Sequence, residues 1–557
     1  MANYFYFFLL ALAFSLPVSA QKLTADLVIV NANVHTMDKD RPAARAIAVL
    51  GNKIVAIGTN AEINALVDAH TKVIDAGGKL VMPGFNDAHV HFTEGGFQLS
   101  LVDLRDAKSP EEFAARIKAF AAKLKKGEWV LGGRWDHENW KPNNLPTKEL
   151  IDAVTPDNPV FVQRLDGHMG VANSLALKLA GIDKNTKDVE GGMIVRDAGG
   201  NPTGVLKDAA MELLTRVIPE PSFEQKFQAA LAATNYAASL GVTSVQDMSA
   251  NSSIGVYQEL LRQGKLKTRI YAGAPLVEWK RYADAGVHYA FGSEMLRLGT
   301  LKGYADGSLG STTAWFFEPY MDSPNTSGLP REEMQGPLPN KMFELVSAAD
   351  KHNLQVMIHA IGDRANAGVL DIYERTFKED GDRDRRFRIE HAQHLRQQDI
   401  PRFGQLGVVA SMQPVHLTDD GRWAGKRLDE KRLKGTYAFR SLLDSGAHLA
   451  FGTDWAVAPL NPFFGVLAAV TRQTTDGKNP NGWIPEQKIT LEEAVRAYTA
   501  GSAYAEFQEN IKGTLTTGKL ADFIIVSDDI FTGPPLKMLQ TRVLTTVMDG
   551  RVVYQAK

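Results

Sequence analysis

Apolar and polar positions alternate in short runs from residue 22 to 83: ADLVIVNANVHTMD, ARAIAVLGNKIVAIGTN and TKVIDAGGKLVMPG. The runs are punctuated by Gly, Asn and Asp, which favour turns. A period of two between turn signals predicts strands, here of a small antiparallel sheet. The same texture returns in GTLTTGKLADFIIVSDD and TRVLTTVMDGRVVYQ near the other end. Chain termini commonly lie close together, so residues 21–82 and 512–557 are expected to build one small β domain.

The middle of the chain reads differently. Apolar strand candidates stand at 242–248, 268–276, 298–307, 354–362, 387–393, 407–415 and 447–455. Segments with helical spacing lie between most of them, such as PSFEQKFQAALAATNYAASLG and NKMFELVSAADKHN. With GGKLVMPGF as the first strand the count is eight. Eight βα units in series predict an α/β fold, a closed (β/α)8 TIM-like barrel over 83–511. One such unit takes about thirty residues, and the 32 residues from His359 to His391 and the 63 from His391 to Asp454 match one and two units. His91 and Lys302 are 211 residues apart, far more than three units. An insert subdomain at about 98–220, after the first barrel strand, is therefore expected. It carries strand-like runs of its own, EWVLGGRWD and NPVFVQRLDG, and is expected to cap the barrel mouth.

Composition narrows the chemistry. A length of 557 residues with 44% hydrophobic content suffices for a large core and more than one domain. Lys+Arg 62 against Asp+Glu 64 leaves a net charge of -2 with no basic stretch, which argues against a nucleic-acid partner. There is no cysteine, so disulfides, thiolate metal sites, iron–sulfur clusters and cysteine nucleophiles are excluded. A bound metal must use imidazole, carboxylate or modified lysine, donors that suit Zn, Mn, Ni, Co or Fe(II). Residues 4–14 are apolar and the small-residue run Val18-Ser19-Ala20 follows, although no Lys or Arg precedes them. A signal peptide over 1–20 and export to the periplasm or beyond are the expectation, with no stable membrane anchor.

The candidate chemistry begins in GFNDAHVHF, residues 84–92. On a strand, residues i and i+2 share a face, so His89 and His91 converge on one point. Such a pair alone is weak evidence for a metal. Four further polar residues fall at strand ends, where barrel enzymes carry their chemistry. These are Lys302 in LKGYADGSLGS, His359 in VMIHAIGD, His391 in RIEHAQ and Asp454 in FGTDW. Taken singly, each has a plain structural reading: a hydrogen-bonded core histidine, a helix cap or a solvated lysine.

As a set, these motifs and the terminal GKLADFIIV resemble the metal-dependent amidohydrolase superfamily, more closely its amidohydrolase-3 branch, which includes N-substituted formamide deformylases. The resemblance runs from about residue 22 to 555, and LGGRWDHENW and RLDGHMGVANSLAL in the insert share it. It implies that the terminal β domain is a β-sandwich. It also implies a divalent metal centre of one or two ions, expected to be Zn. His89, His91 and Asp454 would bind the more buried ion and His359 and His391 the second, with a carboxylated Lys302 bridging them. The implied reaction is hydrolysis of an amide, N-acyl or N-formyl C–N bond by metal-bound hydroxide, with Asp454 as general base and acid. An esterase, a lactonase and a deaminase of amino-heterocycles remain alternatives on the same centre, as does a binding protein that lost the reaction. His168 is expected to polarise the substrate, and Trp135, His137, Trp140, Trp315 and His416 to line its pocket. Phe316 and Phe317 would extend an apolar wall, His394 would orient a ligand, and Asp87 would hold a turn or support a ligand. A small molecule is the expected partner and a homodimer an allowed assembly.

Overall fold

A computed structural model describes residues 23–137, 140–164, 169–189, 192–338 and 340–557. The expected signal peptide and His168 lie outside them. Eight parallel strands follow one another around the central sheet in chain order: β1 (Phe85–Val90), β2 (Val242–Asp247), β3 (Arg269–Pro275), β4 (Leu296–Tyr304), β5 (Gln355–Ala360), β6 (Arg388–His391), β7 (Val409–Met412) and β8 (Leu449–Phe451). The ends of this sheet meet just beyond β8. The Asp454 amide donates to the His89 carbonyl at 2.8 Å and the His91 amide to the Trp455 carbonyl. These bonds close the barrel at its C-terminal rim, where the side chains of interest sit. The expected (β/α)8 architecture is present.

Most helices between the strands follow their sequence signals. Phe223–Ser239 starts at a capping box, in which Ser222 and Gln225 satisfy each other's backbone N–H groups. Lys341–Lys351 starts at Asn340, whose side chain accepts from the Phe343 amide. Their apolar faces pack on the barrel in one continuous core.

One strand assignment is corrected. GGKLVMPGF is not the first barrel strand. Its ordered part, Leu80–Pro83, pairs antiparallel with Phe523–Val526 and parallel with Asn33–His35. The barrel begins one residue later, at Gly84-Phe85. A Cβ on Gly84 would lie 2.3 Å from the Thr243 side chain, so glycine is what lets the chain pass from one unit into the next. Both segments are fully buried and joined by a single glycine, so the sequence reads as one continuous strand across the boundary.

The two ends of the chain meet in two sheets. One orders Lys53–Gly58, Ala46–Leu50, Leu27–Val30 and Lys72–Asp75. The other orders Arg551–Gln555, Val543–Met548, Phe523–Val526, Leu80–Pro83, Asn33–His35 and Ala43–Ala44. Side chains of both, among them Ile29, Ile47, Val81, Phe523 and Val547, share one core. Each sheet also holds a parallel pair, so the expectation of an all-antiparallel sheet is corrected as well.

The long segment before β2 does not leave straight from β1. Helix Phe92–Leu99 comes first, and a six-stranded sheet follows, running from Val102–Asp103 at one edge to Gly192–Arg196 at the other. It has its own apolar core around Phe113, Ile117, Trp135 and Trp140. Arg134 reaches from it to the Ala456 carbonyl at 2.9 Å, beside the barrel rim.

Candidate metal centre

All six proposed ligands stand within three residues of the C-terminal ends of barrel strands, and all six line one cavity of about 410 Å³: His89, His91, Lys302, His359, His391 and Asp454. Alternation on a strand puts His89 on the inner face of β1, and His91 follows where the strand gives way to a helix. Asp454 sits in the left-handed region at φ 58°, just past β8. Its Oδ1 lies 3.5 Å from His89 Nε2 and 3.4 Å from His91 Nε2. This oxygen is buried and makes no hydrogen bond. Its other oxygen, Oδ2, is 3.2 Å from His416 Nε2. His89, His391 and Asp454 can each place one donor atom within 4.8 Å of the other two. The ring centroids of His359 and His391 are 4.5 Å apart. An orphaned carboxylate oxygen among converging imidazoles is poor protein packing and a good cradle for a cation, so the residues fit the metal that the sequence implies.

Neighbouring side chains fix each ring. His89 Nδ1 lies 2.6 Å from Glu390 Oε2, so Nδ1–H donates to the carboxylate and Nε2 is left as a lone pair facing the cavity. Glu390 also accepts from Arg388 Nε at 2.7 Å and from Ser411 Oγ at 2.7 Å. His359 Nε2 lies 2.9 Å from the Gly307 carbonyl, which leaves its Nδ1 as the free acceptor. Asp87, fully buried, accepts from the Thr453 hydroxyl at 2.6 Å, the Thr453 amide at 2.9 Å and the His89 amide at 3.1 Å. It therefore supports His89 and Asp454 together, the supporting role expected of it.

Electrostatics agree with this geometry. Burial, then the Lys302 charge, brings His89 down to about 4. Burial and the same lysine bring His359 down to about 3. Burial likewise holds His391 well below the ordinary imidazole value, helped by its histidine neighbours. These three rings are neutral at pH 7, the form that binds metal. Burial opposes ionisation of Asp454, but the surrounding histidines outweigh it and hold the carboxyl well below its usual range. Lys302 is brought down to about 8 by burial, with Arg388 adding to the effect.

The expected substrate residues fare unevenly. His416 lines the cavity. Trp135 and Trp140 do not. They fill the insert core, where Trp135 Nε1 donates to the Val162 carbonyl and Trp140 Nε1 to the Ala107 carbonyl, both at 2.9 Å. Large rings with a satisfied N–H are best accommodated there. His137 lies against Trp135 with ring centroids 6.0 Å apart, and it too is absent from the cavity wall. Trp315 packs under Arg364, whose guanidinium is 4.5 Å from the ring centroid, and does not reach the cavity. Phe316 is buried in a separate cluster, and Phe317 is partly exposed against Arg396. His394 stands behind the site. Its Nδ1 lies 2.8 Å from Thr436 Oγ1, and burial lowers it to about 3.

Sequence reasoning missed Glu390, Tyr304, Gln393, Asp420 and Trp423. The last four line the cavity. Glu390 had a signal: Arg388 and Glu390 are two apart in a strand candidate and so share a face, and a buried Arg-x-Glu pair on a barrel strand must serve something buried.

The model for the amidohydrolase family matches residues 72–554 of this chain. Protein LONG AFTER FAR-RED 3 of Arabidopsis thaliana is 40% identical over 96% of this chain and 92% of its own length. An N-substituted formamide deformylase of Arthrobacter pascens is 27% identical over 95% of this chain and 98% of its own. Among solved structures, a metal-dependent hydrolase of Pyrococcus horikoshii superposes with a TM-score of 0.77 at 30% identity, covering 91% of this chain and 99% of that one.

Proposed function

The chain belongs to the amidohydrolase family, and on that premise we propose that this metal-dependent hydrolase cleaves the C–N bond of an amide, N-acyl or N-formyl compound. One observation carries the reading: Asp454 Oδ1, buried and unbonded, faces His89 and His91 at 3.5 and 3.4 Å. The formamide deformylase relative adds support for the substrate class. His89, His91 and Asp454 would hold one divalent ion, for which we propose Zn. His359 and His391 would hold a second, with Lys302 between them as its carbamate. Lys302 supports this last point. At about 8, roughly a tenth of it is the neutral amine at pH 7, and that is the form that captures CO₂. A divalent ion in this donor set supplies a Lewis acid for the carbonyl oxygen and acidifies water toward neutral pH.

The protein's own groups do the rest. Glu390 keeps the Nε2 lone pair of His89 toward the cavity. Asp454, ionised and held by His416 through Oδ2, accepts the proton of the attacking water. It then returns that proton to the departing nitrogen, which leaves poorly as an anion. His168, outside the described residues, keeps its proposed role of polarising the substrate. Export is proposed from the apolar leader alone, and sequencing the N-terminus of the secreted or periplasmic protein tests it.

Metal analysis of the purified protein comes with a panel of N-formyl and N-acyl amines, esters and amino-heterocycles. Two ions per chain and turnover of the amides are expected. Turnover of the esters or heterocycles alone would overturn the C–N assignment. Lys302→Ala is expected to lose one ion and at least about a hundredfold in kcat. Full metal content and rate in that variant would remove the bridging role.

A further inference from the structure

The cavity wall carries a second carboxylate that the proposed reaction does not use. Asp420 ends the short helix Leu417–Asp420 beyond β7 and lines the same cavity as the ligands. Two donors hold it from behind. Gln393 Nε2 donates to Asp420 Oδ2 at 2.8 Å and the Tyr437 hydroxyl to the same oxygen at 2.7 Å. Tyr437 is fully buried, and its amide donates to the Gln393 carbonyl at 2.8 Å. Both donors use Oδ2, so Oδ1 remains without a hydrogen bond among the described residues. The carboxylate is thus anchored on one oxygen and open on the other.

The same cavity also has apolar and aromatic lining. Trp423, Leu309 and Val457 line it, and Trp423 is tied to Asp420 by its amide, which donates to the Asp420 carbonyl at 3.0 Å. Trp423 is held in place by Arg427, whose guanidinium is 5.4 Å from the ring. Arg427 also donates to the Leu309 carbonyl at 2.9 Å, so it braces the loop that carries the apolar wall. Of the two cavity carboxylates, Asp454 is committed to the donor cluster. Asp420 is the one left to meet a substrate. An ordered acid with a free oxygen beside an indole recognises a positively charged or strongly donating nitrogen group.

We propose that Asp420 is a specificity residue and that the substrate carries a cationic nitrogen group, an ammonium or a guanidinium, on the fragment away from the scissile bond. Apolar carbon between that group and the reacting carbonyl would pack on Trp423 and Leu309. The proposal rests on reading this cavity as the substrate site, but it predicts a binding preference whatever bond is broken there.

The test uses the metal-loaded protein and an isosteric pair that does not depend on turnover: butylguanidinium against butylurea, by titration calorimetry. Guanidinium stays protonated and does not ligate metals; the urea carbonyl can lean on a bound ion, so the same pair is also titrated on chelator-stripped protein, where the comparison isolates the charge. Wild-type protein is expected to bind the guanidinium at least about tenfold more tightly than the urea, as a charge-assisted hydrogen bond in a partly dry site should give. In Asp420→Asn the ratio is expected to fall close to one. Equal affinity in the wild type, or a preference that survives in Asp420→Asn, would overturn the proposal. The wild-type ratio decides even if the variant fails to fold. A matched pair of N-formyl amines, one ending in ammonium and one in methyl, separates this idea from the C–N reading. No turnover of either beside an intact guanidinium preference would sink the C–N assignment and leave Asp420 in its role.

Discussion

Glu390 acts on the site from behind the cavity wall. It holds the Nδ1–H of His89 at 2.6 Å and is itself held by Arg388 and Ser411. Glu390→Gln keeps the shape but removes the negative charge that makes His89 a strong donor. It is expected to weaken metal binding by roughly ten- to a hundredfold, read by chelator competition. His394 makes a separate prediction. Its ring titrates near 3 in the folded chain against 6.5 ordinarily. Between those values the unfolded chain binds the extra proton, so stability falls as pH drops below 6.5. By pH 5 that amounts to about 2 kcal/mol. Urea midpoints at pH 7 and pH 5 should therefore differ more in the wild type than in His394→Asn, and an equal difference would count against it. The legibility of these residues in sequence follows from their surroundings. His89, His359, His391 and Asp454 stand out because each lies at the end of a strand candidate. Glu390, one residue before His391, was overlooked because its role shows only through its partners His89, Arg388 and Ser411. Trp135 and Trp140 misled because an indole reads alike in sequence whether it fills a core or lines a pocket.

At the scale of elements, seven apolar runs marked barrel strands, and the gap before them revealed the insert. Where the barrel began was not legible. Leu80–Pro83 and Phe85–Val90 are both wholly buried, and only their partners, hundreds of residues away in one case, assign them to different sheets. The insert offers a clean test of the corrected role of its tryptophans. Trp135→Ala is expected to cost about 3–5 kcal/mol, confined to the insert sheet. Hydrogen exchange should quicken in Val130–Trp135 and Val160–Arg164 while the barrel strands stay protected. Unchanged exchange there with a raised KM would restore Trp135 to the substrate pocket.

For the molecule as a whole, one buried cluster ties barrel to sandwich. Arg269 on β3 forks onto Asp522, with Nε to Oδ2 at 2.6 Å and Nη2 to Oδ1 at 3.0 Å, and Nη2 also reaches Asp549 Oδ1 at 3.0 Å. Arg269→Ala strands the Asp522 carboxylate and is expected to cost about 3–5 kcal/mol. Because the charge is shared across the two units, thermal melting should resolve into two steps. A single transition at the wild-type temperature would show that the tie contributes nothing. The pairing of Met82 with Ile524 has a consequence in time rather than in energy. A ribosome adding about 5–20 residues per second needs roughly 20 to 90 seconds to travel from one to the other. Throughout that interval Leu80–Pro83, wholly apolar, has no antiparallel partner. The nascent chain must be kept from aggregating by whatever shelters such an edge, until Phe523–Val526 arrive to cover it.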